Sequence, residues 1–379
     1  MTFYKSVTSF YTPKSRLRLS RLHLCRIVSP NTNNVMQIHI LALLLFFQSL
    51  IACQQDQKGN QSAEASLAFL SLSGSQQQCS EKSASTAAKV IFQSLDGGQT
   101  WHDVSDGLPE NVAVGRVYAD GNEIYLVSEN GLYHRSTALV APMWEKEVFL
   151  NEKVSDIFPG QSGLYVSSYW NGFFKGMPGT GIWTPMHNTL EDKTIRSILE
   201  APNGAIFVGC ESGIYRTSDG GNCWKQVLAD EGVNSFAASG DVLICGNSKG
   251  LMRSTDGGEH WEQVLSNDGS AFKTKRIEGG FITVTNGGAW QDGKPNKLYT
   301  STDEGKTWQR IDAGLSLTRD IHDIAQAGKY LFCSTDAGIS RSADGGKTWE
   351  LVRARADEKE MFNLAVSGQM VFAVLVFGC

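Results

Sequence analysis

The chain has 379 residues, a formal net charge of −5 at neutral pH, 41% apolar residues and eight cysteines. Its acidic balance lacks the basic footprint that nucleic-acid binding requires. The cysteines form no CxxC pair or His/Cys ligand spacing, so neither a metal nor a cofactor is expected. Residues 1–35 carry six basic residues (Lys5, Lys14, Arg16, Arg18, Arg21 and Arg26) and no acidic one, so the rest of the chain is more acidic still. Met36 is an alternative start, although it would leave no Lys or Arg ahead of the apolar stretch that follows. A transit peptide, also basic and acid-poor, is a second reading of this leader. The stretch 38-IHILALLLFFQSLIAC-53 has 15 residues before Cys53 and is interrupted by His39 and Gln48. That is short against the roughly 20 residues of a membrane span, and it reads as a signal sequence ending at residue 52. Residues 54–87 are rich in Gln, Ser and Ala, as in 72-LSGSQQQCSEKSAS, and read as a flexible tether.

From about residue 88 the chain repeats. The segments 94-SLDGGQTW-101, 217-TSDGGNCW-224, 254-STDGGEHW-261, 301-STDEGKTW-308 and 342-SADGGKTW-349 share one spacing. Their aspartates, Asp96, Asp219, Asp256, Asp303 and Asp344, recur about every 40 residues, except that the first gap spans about three periods. Two worn copies fill it. In 132-LYHRSTALVAPMW-144 and 173-FFKGMPGTGIW-183 the aspartate and most glycines are gone but the strand pattern and the tryptophan remain. Each repeat carries four short runs of alternating apolar and polar residues, such as 233-VNSFAA, 241-DVLICG, 251-LMRS and 261-WEQVL. Four antiparallel strands per period predict β-propeller blades. The first copy begins at a third strand, 89-KVIFQS-94, and the chain ends after two strands in 362-FNLAVSGQMVFAVL-375. Joined, these make one blade shared between the termini. The expected fold is all-β: a seven-bladed propeller over residues 88–379, with no open edge between its first and last blades.

The repeated aspartates sit in the turn between third and fourth strands. There a carboxylate accepts turn amides and glycines supply backbone angles that a Cβ would penalise. The pattern resembles the Asp-box repeat, also called the bacterial neuraminidase repeat. That resemblance implies that Asp96, Asp219, Asp256, Asp303 and Asp344 are structural, since the family contains enzymes and non-enzymes alike. The ending Leu50-Ile51-Ala52-Cys53 resembles a bacterial lipobox, which implies lipidation of Cys53 and a membrane-anchored envelope protein. The alternative is an ordinary signal peptide that contains a cysteine.

Cys245 and Cys333 are expected as small buried strand residues. Cys210 and Cys223 lie at opposite ends of one sheet and are not expected to pair. Cys79 and Cys379 are candidates to pair in an oxidising envelope. Two tryptophans fall outside the repeat, Trp170 (beside Tyr169) and Trp290. Both lie in loops of the propeller face formed by second–third and fourth–first connections, and the 286-NGGAWQDGKPN-296 loop is the longest of that set. They are candidates to stack on a sugar or anchor a protein partner, or else to pack over a neighbouring blade. A second candidate cluster lies at the channel mouth. There the residue just before each first-strand apolar run is Arg116, Asp156, Ser197, Ser235, Arg276, Asp323 or Asn363. The arginines and aspartates are expected to pair with one another.

A sialidase would need three arginines for its substrate's carboxylate. Arg116, Arg196 and Arg276 offer three, but Arg196 is one residue out of register and is expected on the opposite side. Xyloglucanases resemble this repeat and pair two propellers, where this chain has room for one. A glycosidase needs two facing carboxylates, for which Asp156 and Asp323 are the candidates. A single seven-bladed Asp-box propeller behind a signal sequence resembles the photosystem II stability/assembly-factor-like proteins. This implies a monomeric, non-catalytic envelope scaffold with a protein or glycan ligand, with a glycoside hydrolase as the alternative.

Overall fold

The computed structural model describes residues 89–377, apart from 111, 139–142, 148–153, 169–171, 178–179, 230, 267–268, 287–294, 316–319 and 358–359. The leader, Cys53, the tether, Cys79 and Cys379 lie outside the described residues. So do Tyr169, Trp170 and Trp290. Every regular element among the described residues is a β-strand, and the strands form seven four-stranded antiparallel sheets.

The closing blade is shared, as the sequence predicts. Its order is β2 (His102–Asp103), β1 (Ile91–Ser94), β28 (Met370–Phe377) and β27 (Glu360–Ser367). The N-terminal strand pairs with the C-terminal one from Ile91↔Val374 to Ser94↔Val371. We call this blade one. Blades two to seven follow in chain order. Their inner strands are β3 (Val114–Asp120), β7 (Val154–Gly160), β11 (Ser197–Glu200), β15 (Val233–Ser239), β19 (Ala271–Ile277) and β23 (Ile321–Ala327). Each inner strand touches the next around the ring, including β23 against β27 and β27 against β3.

Burial follows radial position. In blade five the second strand, β16 (Val242–Asn247), is buried at every residue, because neighbouring blades cover both its faces. The outermost strand, β18 (Glu262–Leu265), covers one face only, and its Glu262 and Gln263 are exposed. The apolar core therefore lies between blades rather than within them. One cluster joins Phe207 and Ile214 of blade four to Val233, Leu243 and Cys245 of blade five. Cys210, Cys245 and Cys333 are free buried thiols. Cys223 is in a disulfide, so it is not bonded to Cys210.

The Asp-box turns have the predicted chemistry. Asp344 Oδ1 accepts the Lys347 amide at 3.0 Å, the Thr348 amide at 2.9 Å and the Ser342 hydroxyl at 2.8 Å. Its Oδ2 accepts the Thr348 hydroxyl at 2.6 Å. Asp96 and Asp303 repeat this arrangement with Thr100 and Thr307, and in blade five His260 takes the threonine's place on Asp256. Asp219 accepts the Thr217 hydroxyl and the Cys223 amide. The indole N–H of Trp101, Trp261, Trp308 and Trp349 donates back to the carbonyl of the glycine three residues before it. The carboxylates are thus engaged by the amides and hydroxyls of their own turns.

Candidate functional site

Five inner strands begin with a register shift. In β3 it lies between Val114 and Arg116, and β7, β15, β19 and β23 share it. The extra residue breaks the strict alternation of a strand and re-aims the side chains at the entry end. That end faces the second–third and fourth–first loops. The inner strands enclose a central cavity of about 530 Å³.

The residue expected at the channel mouth falls at the predicted position in six blades. Arg116 faces Val127, Asp156 faces Ser167, Ser197 faces Gly209, Ser235 faces Gly246, Asp323 faces Ser334 and Asn363 faces Val374. Blade six differs. The matching residue is Lys273, opposite Val284, while Arg276 lies three residues nearer the hairpin, opposite Phe281. The sequence AFKTKRI has no apolar run after Lys273 to mark the register, so the pattern points to Ile277 instead. Arg276 nevertheless lines the same cavity.

Arg196 is a second correction. Its amide donates to Gly209 O at 2.9 Å, and Ser197 is also paired with Gly209. Two residues thus oppose one, the alternation fails, and Arg196 lines the cavity with Arg116 and Arg276. The three arginines are engaged differently. Arg116 Nε lies 3.3 Å from Asp156 Oδ2. Arg196 bonds Glu211 and the Asn234 side chain. Arg276 is exposed and, among the described residues, its side chain has no ion-pair or hydrogen-bond partner.

Asp156 and Asp323 share a local geometry and differ in charge environment. Each carboxylate accepts the amide of the residue that follows it, Ile157 or Ile324, at 2.8 Å. Burial raises the Asp156 pKa above its ordinary value, against the pull of Arg116 and Lys273. Burial would also raise Asp323, but Lys273 and Lys275, with the Leu364 amide, hold it well below the usual carboxylate range. Lys273 Nζ is 3.1 Å and Lys275 Nζ 2.9 Å from Asp323 Oδ1, while Leu364 N–H donates to Oδ2 at 2.9 Å. Asp323 thereby ties blades six, seven and one together. Burial pulls Lys273 down to about 8, Asp323 opposes that, and Lys275 and Arg116 add repulsion. In blades four and five the lining is hydroxylic: Ser197 donates to Val233 O, and Ser235 to the Thr274 hydroxyl of blade six.

Sequence reasoning does not single out Lys273 and Lys275. Their one signal is the KxK pair on a strand otherwise expected to alternate with apolar residues. Residues on either side of 287–294 are held at the rim. Asn286 and Ser270 exchange hydrogen bonds, and Asn296 Nδ2 donates to Ile321 O at 3.2 Å. Beside it His322 Nε2 lies 2.8 Å from Asp336 Oδ1.

Residues 227–356 match the family model described as photosynthesis system II assembly factor YCF48. No curated protein shows significant similarity to the chain. Among solved structures, an ancestral GH74 enzyme is 18% identical with a TM-score of 0.52, covering 72% of this chain and 41% of that one. The chain thus spans about two fifths of that enzyme's length. YCF48 from Cyanidioschyzon merolae is 16% identical with a TM-score of 0.51, covering 70% of this chain and 96% of that one. Virginiamycin B lyase from Staphylococcus aureus is 14% identical with a TM-score of 0.53, covering 76% and 99%. At such identities the structural likeness shows the fold, which binders and enzymes share.

Proposed function

We propose that the propeller is a non-catalytic binding scaffold of the bacterial cell envelope, lipid-anchored through Cys53 and recognising a protein or glycan at its loop face. Trp170, Tyr169 and Trp290 are the aromatic contacts in this reading, with Arg116 and Arg276 at the channel. The carrying observation is the state of Asp323. Its two oxygens accept from two lysines and two backbone amides, and its side chain is only 6% exposed. A carboxylate so occupied is poorly placed to activate water or attack a sugar. The match to an assembly-factor family model supports a protein ligand over a glycan.

The second reading is a glycoside hydrolase. Its support is the opposed environments of the two carboxylates: Asp156 is raised, as a general acid needs, and Asp323 is held ionised, as a base needs. Offering sialosides and β-glucans to the purified protein separates the two readings. The scaffold reading expects no turnover, and expects Trp170→Ala and Trp290→Ala each to weaken the bound partner by about 1–3 kcal/mol without changing the melting temperature. Hydrolysis that disappears in Asp156→Asn or Asp323→Asn, with melting intact, would establish the enzyme instead. Cys53→Ser should abolish metabolic lipid labelling. Wild-type protein that takes up no label would remove the anchor from the proposal.

A further inference from the structure

We propose that the central channel holds a small dianion, a phosphate or a dicarboxylate, bound by the basic side chains of β19 together with Arg116. Charge balance points to it first. Among the described residues the lining includes Arg116, Lys273, Lys275 and Arg276 on the positive side, with Asp156 and Asp323 against them. Arg196 also lines the mouth, but Glu211 already engages it. Two positive charges are therefore in excess within one cavity, in a chain whose net charge is −5. Uncompensated charge in a partly buried site is unfavourable unless a counter-ion or solvent offsets it.

The cations are also incompletely engaged. Asp323 Oδ1 is shared between the Lys273 and Lys275 ammonium groups, so a single negative charge serves two positive ones. Lys273 reaches further, to Asn363 Oδ1 at 3.5 Å, a neutral acceptor on blade one. The Arg276 side chain has no partner among the described residues. Three of the four cations come from the single strand β19. Burial is the main cause of the depression of Lys273 to about 8, and the repulsion from Lys275 and Arg116 that adds to it is what a bound anion would relieve. The cavity of about 530 Å³ exceeds the size of a bare phosphate, so a phosphate monoester or an organic dicarboxylate also fits. The site shares Arg116 and Arg276 with the scaffold reading but uses none of its aromatic contacts, so dianion binding should be unchanged in Trp170→Ala and Trp290→Ala.

The test is calorimetric titration of the full-length protein at low ionic strength with inorganic phosphate and, separately, with succinate. Sodium chloride at matched ionic strength is the control. Saturable one-site binding of either dianion, absent with chloride, is expected, and the stronger of the two identifies the class of anion. Arg276→Gln changes an exposed side chain, so it should fold normally and weaken binding about tenfold, the loss of one charge-assisted contact. As a second readout, lysine NMR after reductive methylation should show the Lys273 titration moving upward from about 8 when the dianion is added. Heats that follow ionic strength alone, or Arg276→Gln binding as tightly as wild type, would overturn the proposal.

Discussion

At the scale of single residues, the Asp-box carboxylates and Lys273 respond to pH in different windows. Asp256 is held well below its ordinary 3.8, first by the His260 amide and then by the His260 side chain. Asp96, Asp303 and Asp344 are lowered by the hydroxyl and amide of their threonines. A carboxyl with a depressed folded pKa contributes stability that is complete above the unfolded value and is lost as pH falls through the folded one. Melting temperature should therefore be level near neutrality and fall as pH drops below about 4. Asp256→Ala should remove part of that acid dependence and cost about 1 kcal/mol, a modest amount because water reaches the freed turn amides. Denaturant melts across the acid range check both. Lys273 acts at the other end. It is lowered from 10.5 to about 8, so within that window the unfolded chain holds a proton the folded one has released. Its contribution to stability then rises with pH. Lys273→Met should flatten the slope, and an unchanged slope would mean the ammonium is solvated.

At the scale of elements, the third–fourth turn connects blades as well as strands. Gly258 has φ +82°, and a Cβ there would lie 2.3 Å from Phe207 Cε1 of blade four. Gly305 meets Ile244 of blade five, Gly346 meets Ile311 of blade six, and Gly98 meets Phe332 of blade seven in the same way. The glycine three residues before the tryptophan is thus required twice, by its backbone angle and by the preceding blade. Gly257 is the internal control: its φ is +72°, but a Cβ there would meet nothing within 4 Å. Gly257→Ala should cost about 1 kcal/mol from conformation alone. Gly258→Ala should cost about 2–4 kcal/mol, conformation and overpacking together. Equal shifts in urea midpoint would contradict the packing role. Third-strand arginines reach the same turns from the preceding blade: Arg216 bonds Glu259, Arg253 bonds Glu304 O at 2.8 Å, and Arg341 bonds Gly97 O at 2.6 Å. In blade three, one of the two blades that lack the box, the Thr180 amide and hydroxyl both donate to Met177 O. Its cross-strand pair Met177 and Ile182 is exposed.

At the scale of the whole molecule, the decisive feature is ring closure. Strand β1 has β28 on one side and β2 on the other. Leu375 N–H donates to Val90 O at 2.8 Å, extending the ladder beyond the strand itself. Arg353 of blade seven stacks on Phe92 from the N-terminal end at 3.8 Å and on Phe362 from the C-terminal end at 5.3 Å. Deleting residues 361–379 removes the two inner strands of blade one and uncovers the faces of blades seven and two. The cores lie between blades, so the loss should propagate, and the truncated chain should show no cooperative melt. A normal thermal transition after this deletion would refute the shared blade as the ring's closure.

Whatever is local or periodic in this fold is legible along the chain. Repeat length set the blade, the recurring tryptophans set seven blades, and the half-repeats at the two ends set the shared one. The Asp-box chemistry was equally legible, because carboxylate, glycine and threonine all lie within one turn. The channel, by contrast, depends on contacts between blades. Bulges at the strand entries brought Arg196 into the cavity against the alternation rule, and blade six put Lys273 where Arg276 was expected. Lys275 and Asp323 are 48 residues apart and meet because their blades are neighbours. Side-chain partners drawn from different repeats leave no mark in either repeat's own pattern, whereas hydrogen bonds inside a turn are written in consecutive residues.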